Sequence, residues 1–260
     1  MNILEKIVAD KRKEVEILKN RILISDYEKS QYFDKKTFSL RLNLKNKSGI
    51  ISEFKRQSPS KGIINNTSNV LDVTGGYENA GVSALSILTD KKYFGGSIDD
   101  IIKVRDNIQI PILRKEFIVD EFQIVEAKAI GADAILLIAS VLSKQETENF
   151  AKLAKSLGLE ILLEIHNEQE LSHINQYVDC VGVNNRNLKT FEVNIQNSIS
   201  LSYKIPNDFV KVSESGISSV DAIKELQQFG FQGFLIGENF MKTDNPAMAC
   251  QTFINELSKK

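Results

Sequence analysis

Short apolar runs alternate with amphipathic stretches along most of this 260-residue chain, and this alternation constrains the fold more than any other feature. Eight runs are typical of buried strands: 50–55, 84–88, 110–115, 134–138, 160–165, 181–184, 210–213 and 233–236. Each is followed by a helical pattern. These patterns lie at 69–79, 98–107, 121–130, 144–157, 168–175, 194–201, 220–229 and 246–257. Repeated strand–helix units predict a parallel sheet, because parallel neighbours need a long crossover connection.

Local capping residues support these boundaries. Ser143 followed by Glu146 forms a capping-box pattern, and Asp120 and Ser219 stand where an N-cap residue is preferred. Glycine is common just past the end of a helix, and three helical patterns are followed by one: Gly131, Gly158 and Gly230.

The order and number of these elements predict an α/β fold, a (β/α)8 TIM barrel. Strands that recur at intervals of roughly 20–35 residues in a domain of this length are typical of that architecture. A doubly wound sheet is the alternative, and it predicts a glycine-rich fingerprint after the first strand. The chain contains neither G-x-G-x-x-G nor G-x-x-x-x-G-K-[ST], so the barrel is favoured.

The first 45 residues differ, because no strand-like run interrupts them. Apolar residues fall near one stripe of a charged helix, at Ile3, Leu4, Ile7, Val15 and Leu18. We expect a helical N-terminal extension over 1–45 and a barrel catalytic domain over 46–260, in one structural domain overall.

Charge, apolar runs and cysteine spacing argue against a nucleic-acid-binding, a membrane-spanning or a disulfide-rich protein. The 33 basic and 34 acidic residues give no support for nucleic-acid binding, and we expect the basic clusters at 11–13 and 91–92 on a solvated surface. No apolar run approaches the ~18 residues of a membrane helix, and the N-terminus lacks a signal-peptide core. Cys180 and Cys250 have no metal-like or disulfide-framework spacing. We expect a cytoplasmic protein with no membrane partner.

The end of the first strand carries the sharpest functional signal. Strand side chains alternate between faces, so Ile51, Glu53 and Lys55 share one face. An acid and a base on that face are costly if they are buried without a function. A polar loop with proline and glycine follows, rather than a tight hairpin. This pair marks a candidate site.

Other strands also end in polar side chains that continue an apolar row: Lys115 on the third, Glu164 on the fifth, Asn184 on the sixth and Glu214 on the seventh. Because the carboxyl ends of barrel strands meet at one mouth, we expect these side chains to converge with Glu53 and Lys55. A purely structural network of ion pairs is the alternative, and we favour an active site.

These residue types limit the chemistry. Lysines among carboxylates act as general acids when protonated, or lose the proton near neutral pH, and opposing effects on the pKa decide which. His166 is in phase with Glu164 and lies either at the rim or, as we favour, behind the site; His173 is expected on a helix surface. The two histidines match no metal motif, and we expect no metal site.

Turns after the last two strands predict an anion site. Ser215 and Gly216 follow the seventh strand, and Gly237 and Glu238 follow the eighth, where a short helix through Met241 can begin. Glycine lets an anion approach the backbone, and barrel phosphate sites commonly lie at these two loops. We expect a phosphorylated small-molecule substrate.

Seven segments resemble the indole-3-glycerol phosphate synthases of tryptophan biosynthesis, and the match covers nearly the whole chain. They are EFKRQSPSKG (53–62), LTDKKYFGGS (88–97), LRKEFI (113–118), LEIH (163–166), VNNRNL (183–188), SESGI (213–217) and LIG (235–237). The resemblance implies a cofactor-free carbon–carbon lyase. Its substrate, 1-(2-carboxyphenylamino)-1-deoxyribulose 5-phosphate, closes to indole-3-glycerol phosphate with loss of carbon dioxide and water.

The resemblance also implies roles for single residues. Lys115 matches the acid that protonates the ketone oxygen in ring closure. Glu164 and Lys55 match the groups of the dehydration, with the division of work between the two lysines left open, and Lys55 is also a candidate clamp for the substrate carboxylate. Glu53 would orient Lys55, and Asn184 would position the aromatic amine and the hydroxyl.

The remaining family positions form the pocket: Ser58, Arg186 and Glu214 for the substrate, and Ser215, Gly216, Gly237 and Glu238 for the phosphate. Phe94 and Phe117 are candidate walls for the aromatic ring, with ordinary loop packing as an equal alternative. Glu238 stands where some members have serine. Because a carboxylate repels phosphate, we expect its side chain to turn away and only its backbone N–H to contribute.

Two other functions are weighed against this one. A phosphoribosyl isomerase barrel shares the phosphate loops, but it does not require the Glu53–Lys55 pair together with Lys115. A catalytically silent barrel, used as a scaffold, would not need the charged positions that are all present here. We expect a lyase that acts as a monomer.

Overall fold

In the computed structural model, which describes residues 2–187 and 190–259, eight parallel strands form a closed barrel in the order β1-β10-β9-β8-β7-β6-β5-β4. The strands are β1 (Ile50–Phe54), the short β2 (Gln57–Ser58) and β3 (Gly62–Ile63), β4 (Ala84–Leu88), β5 (Ile112–Lys115), β6 (Ala134–Ile138), β7 (Glu160–Ile165), β8 (Cys180–Asn184), β9 (Val210–Glu214) and β10 (Phe231–Ile236). The predicted barrel is confirmed. Leu188 of the VNNRNL segment and the two terminal residues lie outside the described residues.

Helices cover the outside of the barrel and form the N-terminal extension. They are α1 (Ile3–Lys19), α2 (Ile24–Tyr27), α3 (Leu40–Asn46), α4 (Val70–Asn79), α5 (Lys91–Phe94), α6 (Ile98–Arg105), α7 (Glu121–Ala129), α8 (Lys144–Ser156), a 3-10 helix (Glu168–His173), α9 (Gln196–Ser202), α10 (Val220–Gln228), α11 (Glu238–Met241) and α12 (Pro246–Leu257). Among the described residues, no helix is long and apolar enough to cross a membrane.

The barrel interior is a packed apolar core that continues into the N-terminal extension. Ile51, Leu113, Leu162 and Val212 point inward and form one cluster with Leu44 of α3. Glu53, Lys115, Glu164 and Glu214 each come two residues after one of these inward strand residues, so they continue the same inward rows. The strand phase that the sequence predicts is therefore confirmed.

The expected solvated surface at 11–13 is wrong for one residue. Lys11 is only 3% exposed, and its ammonium nitrogen lies 3.0 Å from Asp90 Oδ2 and 3.2 Å from Glu116 Oε1. Lys11 lies on the face of α1 that also buries Ile7 and Val15, because residues four apart share a helix face. Two buried carboxylates compensate its charge, which a local pattern of charges does not reveal.

The loop after β1 differs from the expected polar loop without a tight hairpin. β2 and β3 pair in antiparallel fashion, with Gln57 opposite Ile63 and Ser58 opposite Gly62. Strands of two residues are too short to show an alternating pattern. Arg56 holds the base of this hairpin, since its guanidinium donates to both carboxylate oxygens of Asp100, at 2.6 and 3.0 Å.

Candidate active site

The residues predicted as catalytic, substrate-binding or phosphate-binding all line the same cavity, which has a volume of about 620 Å³ and lies at the carboxyl ends of the barrel strands. They are Glu53, Lys55, Ser58, Phe94, Lys115, Phe117, Glu164, Asn184, Arg186, Glu214, Ser215, Gly216, Gly237 and Glu238. The barrel brings them together because parallel strands of a closed sheet end at a common rim.

Glu53 and Lys55 form an ion pair at the end of β1. The Lys55 ammonium lies 2.8 Å from Glu53 Oε1, and Ser86 Oγ on β4 donates to the other carboxylate oxygen at 3.4 Å. Glu53 also fills space beside Gly237, where a Cβ would lie 2.6 Å from Glu53 Oε1. Glycine at this turn thus leaves room for the Glu53 carboxylate.

Lys115 lies between two carboxylates. Its ammonium is 3.3 Å from Glu164 Oε2 and makes a shorter contact with Glu214 Oε2. Burial alone would lower the pKa of Lys115, but the charges of Glu214, Glu164 and Glu53 outweigh it and raise the pKa above its usual value. Lys115 is therefore protonated at neutral pH, which makes it an acid rather than a base.

The pKa values of the two carboxylates that contact Lys115 are shifted in opposite directions. Burial raises the pKa of Glu214 to about 7, although Lys115 opposes the shift. Burial also acts on Glu164, but Lys115, His166 and Asn184 together bring its pKa below the ordinary value. Neighbouring acids with separated pKa values are typical of acid–base catalysis.

Glu214 occupies space that only a glycine leaves free. A Cβ on Gly182 of β8 would lie 2.1 Å from Glu214 Oε1. That oxygen is buried and has no hydrogen-bond partner among the residues that the structure describes. An unpaired buried acceptor of this kind favours the protonated carboxyl or a bound donor.

Asn184 is the last residue of β8, and Arg186 lies in the loop that follows. Asn184 Nδ2 donates to Glu164 Oε1 at 3.2 Å, while its Oδ1 accepts from the Arg186 backbone N–H at 2.9 Å. The Arg186 guanidinium donates to the Phe191 carbonyl at 3.2 Å, and its other terminal nitrogen lies 3.9 Å from Glu238 Oε2. Asn184 thereby fixes the orientation of Glu164 from the side opposite Lys115.

The two predicted phosphate turns face the cavity. Ser215 and Gly216 have φ of 69° and 76°, and this left-handed geometry is strained for serine, as happens often at functional sites. Gly237 precedes α11, which begins at Glu238. The Glu238 carboxylate lies 3.5 Å from the Lys61 ammonium, so its side chain is directed toward cations at the mouth. Its predicted withdrawal from a bound phosphate stays a prediction.

Apolar side chains also line the cavity and form a wall of it. The rings of Phe94 and Phe117 have centroids 5.9 Å apart and are tilted by 37°. Three residues of α1 also line the cavity, namely Ile3, Leu4 and Ile7. Sequence reasoning placed these three on an apolar helix stripe but missed their part in the site, because periodicity does not show which surface a helix covers.

The histidines lie outside the cavity lining. The His166 ring is near Glu164 and Glu170, whereas the His173 ring lies 3.0 Å from the Leu142 carbonyl oxygen. Within 2–187 and 190–259, no group of three or more His, Cys, Asp or Glu side chains is arranged to hold a metal ion.

The chain is similar to the members of a known protein family. The family model of indole-3-glycerol phosphate synthase matches residues 4–253. An indole-3-glycerol phosphate synthase of Bacteroides thetaiotaomicron is 47% identical over 257 residues, covering 98% of this chain and 99% of that protein. Another, of Chloroherpeton thalassium, is 40% identical and covers 95% and 97%.

A solved structure agrees on the fold alone. The 3-hexulose-6-phosphate synthase of Salmonella typhimurium superposes with a TM-score of 0.64 at 12% identity, over 80% of this chain and 98% of that one. The sequence relatives go further, since their similarity extends over almost the full length of each protein. The chain therefore belongs to the indole-3-glycerol phosphate synthase family.

Proposed function

We propose that this cavity carries out the reaction of the family with the residues described above. The chain is a carboxy-lyase of tryptophan biosynthesis, which closes 1-(2-carboxyphenylamino)-1-deoxyribulose 5-phosphate to indole-3-glycerol phosphate. The observation that supports this assignment of residues is the position of Lys115, a buried cation between two carboxylates in the cavity.

Ring closure begins when the aromatic carbon that bears the carboxylate attacks the ketone carbon. The ketone oxygen gains negative charge as the new carbon–carbon bond forms, and Lys115 gives it a proton. Lys115 suits this role because its neighbours keep it protonated at neutral pH. The carboxylate then leaves as carbon dioxide, and the electron pair of the broken bond restores the aromatic ring.

Dehydration then converts the hydroxyl compound to the indole. Lys55 gives a proton to the hydroxyl, which leaves as water, and Glu164 removes a proton from the carbon beside the ring nitrogen. Glu164 suits this role because its lowered pKa keeps it ionised. Lys115 and Lys55 each give one proton to the substrate, and Glu164 takes one from it. The net uptake of one proton matches the overall reaction, in which a carboxylate is lost as neutral carbon dioxide. Glu53 holds Lys55, which also contacts the substrate carboxylate before ring closure.

The other lining residues bind and position the substrate, and Asn184 positions its aromatic amine and hydroxyl. The phosphate lies at Ser215, Gly216, Gly237 and the backbone N–H of Glu238, and the remaining contacts come from Ser58, Phe94, Phe117, Asn184, Arg186 and Glu214. The aromatic ring packs on the two phenylalanines, since a tilted pair of rings offers an apolar wall. Binding at both ends holds the reacting carbons together.

The composition of the chain makes a direct test possible. Because the chain contains no tryptophan, indole fluorescence after mixing with the substrate comes from the product. We expect fluorescence to rise together with the release of carbon dioxide. A folded protein that gives neither signal would contradict the proposed function, and isomerisation of a phosphoribosyl compound without indole would favour the other class of phosphate-binding barrel.

We also propose that the protein acts as a cytoplasmic monomer without a nucleic-acid partner. The residues that line the cavity come from one chain, so the proposed chemistry needs no group from a second copy. Acidic and basic residues are nearly equal in number, which favours no polyanion. Light scattering is expected to give a mass near 29.2 kDa, and twice that mass would contradict the proposal.

A further inference from the structure

His166 lies behind Glu164 and between two carboxylates. Both residues project to the same face of the chain at the end of β7, since they are two positions apart. His166 Nε2 is 3.3 Å from Glu164 Oε1, and Nδ1 is 3.4 Å from Glu170 Oε2. Glu170 belongs to the 3-10 helix that follows β7, so this short helix folds back to place a second acid against the ring.

Glu170 is itself held in place by the turn that precedes it. Its Oε2 accepts the His166 backbone N–H at 2.7 Å, and its Oε1 accepts from Asn167 Nδ2 at 2.6 Å. The His166 carbonyl accepts from Asn197 Nδ2 at 3.1 Å, and the same amide group donates to the Asn184 carbonyl at 2.9 Å. The ring is thus anchored through its backbone on both sides and faces Glu164.

The two neighbouring carboxylates favour a charged imidazole. A neutral ring carries one N–H and one lone pair, so one of its nitrogens would direct a lone pair at a carboxylate oxygen. Both ring nitrogens are buried, and neither makes a well-aligned hydrogen bond within the described part of the chain, so no other group relieves that repulsion. An imidazolium presents N–H to both acids.

The charged groups around His166 act together. Burial lowers the pKa of His166, but Glu170, Glu164 and, from β9, Glu214 outweigh it and raise the pKa above the usual value. Lys115 from β5 contacts the opposite oxygen of Glu164 and contributes the other positive charge. His166 is absent from the residues that line the cavity, so it acts through Glu164 rather than on the substrate.

We propose that His166 and Glu170 form a positioning pair, in which an imidazolium held by Glu170 keeps the Glu164 carboxylate ionised and directed into the cavity. The proposal rests on the proposed role of Glu164 as a base. Lys115 stops being a cation once it has given its proton to the ketone oxygen. His166 is then the positive charge that stays at Glu164, so the carboxylate remains ionised for the later removal of a proton.

The first experiment measures the imidazole without substrate. The chain has only two histidines, so NMR titration with the His173→Gln variant as the assignment control resolves His166. We expect the pKa of His166 to lie above the usual value of about 6.5 and to fall by about one unit or more in Glu170→Gln, because an opposite charge at this distance is lost. A pKa of His166 at or below 6.5 would overturn the proposal.

The second experiment measures the pH profile of kcat/KM by indole fluorescence. Loss of the neighbouring cation raises the pKa of Glu164, so the acid limb should move up by about one pH unit in His166→Gln and by less in Glu170→Gln. KM at high pH should change little, because the cavity wall is intact. His173→Gln should keep the wild-type profile. An unshifted acid limb in both a folded His166→Gln and Glu170→Gln would also overturn the proposal.

These outcomes are separate from those of the proposed function. If the wild-type protein forms no indole, the proposed function fails, while the NMR titration still reports the charge of His166. If His166→Gln does not fold, the pH profile of Glu170→Gln still tests the proposal. This variant leaves the imidazole ring in place and removes only the negative charge of Glu170.

Discussion

Lys115 is surrounded by negative charge, and a substitution that keeps its length but removes its charge isolates its role. We predict that Lys115→Met lowers kcat by about 10²–10⁴-fold, the usual range for loss of a general acid. KM should change much less, because the aromatic wall and the phosphate turns remain. Steady-state indole fluorescence measures both constants.

The matched control is Lys224→Met, which removes a lysine from the exposed face of α10. It should leave kcat and KM at wild-type values. Turnover of Lys115→Met at the wild-type rate would remove Lys115 from the acid role and leave Lys55 as the candidate.

Gly182 determines where Glu214 lies, and this gives a second prediction at the residue scale. In Gly182→Ala the new Cβ would lie 2.1 Å from Glu214 Oε1, so the carboxylate must leave the position in which it contacts Lys115. We expect kcat to fall by about tenfold or more, because Glu214 contacts Lys115 and a small displacement of that proposed acid is costly. Gly75→Ala, where nothing lies within 4 Å of the added Cβ, should be neutral or slightly stabilising. Wild-type kcat in Gly182→Ala would contradict this role of the glycine.

Strand phase made the residues that line the cavity predictable, and contacts outside a single strand explain what it missed. Glu53, Lys115 and Glu164 follow inward residues on their own strands, which is a local property of the sequence. The space that Gly182 leaves for Glu214 depends on how β8 packs beside β9, and the approach of Glu170 to His166 depends on the turn between β7 and the 3-10 helix. No pattern along one strand contains that information.

At the scale of elements, α1 completes the wall of the cavity and Lys11 holds it there. Lys11 pairs with Asp90, which caps α5 ahead of Phe94, and with Glu116, which precedes Phe117. Burial lowers the pKa of Lys11, but these two carboxylates raise it well above its usual value. One buried cation therefore links α1 to both loops that carry the aromatic wall.

We predict that Lys11→Met lowers the free energy of unfolding by about 3–5 kcal/mol, because two buried carboxylates lose their partner. KM should also rise, since the part of α1 that lines the cavity loses its anchor. Urea unfolding and steady-state kinetics measure the two effects. Lys6→Met, on the exposed side of the same helix, is the control and should change neither. An unchanged urea midpoint for Lys11→Met would show that α1 is held by its apolar contacts alone.

Element length decided which elements the sequence revealed. Strands and helices with several turns or alternations were predicted well: β7 and α12 have the predicted bounds, and α6, predicted at 98–107, ends two residues earlier. β2, β3 and α5 are too short to show a repeating pattern of apolar residues. The predicted helix at 168–175 is a 3-10 helix that ends at His173. Ile174 has extended backbone angles, so helical geometry stops there.

At the scale of the whole molecule, the cavity contains a buried carboxyl, Glu214, whose ionised form burial disfavours. Burial raises the pKa of Glu214 to about 7 from the ordinary value of about 4.3, so the folded state binds this proton more tightly than the unfolded state. The contribution of Glu214 to stability therefore falls as the pH rises from about 4.3 through 7. Above that range the ionised carboxylate is a cost that the rest of the fold offsets.

Glu126 provides the opposite case in the same protein. Burial raises its pKa, but Arg114 and Tyr27 outweigh that effect and lower it below the usual value. Its ionised form therefore stabilises the fold above pH 4.5 or so, and this contribution is lost as the pH falls. The pKa values of the two buried glutamates shift in opposite directions because Arg114 and Tyr27 outweigh burial at Glu126, whereas burial outweighs Lys115 at Glu214.

We predict that Glu214→Gln raises the free energy of unfolding by about 1–3 kcal/mol at pH 8 and by less as the pH falls to 4, while kcat drops. Glu126→Gln should instead lower the free energy of unfolding at pH 8, because the Arg114 charge loses its partner. Urea unfolding of both variants and the wild-type protein across this pH range measures the difference. A Glu214→Gln protein that is less stable than wild type at pH 8 would mean that Lys115 compensates the Glu214 charge fully, and stability and activity would then not conflict at this residue.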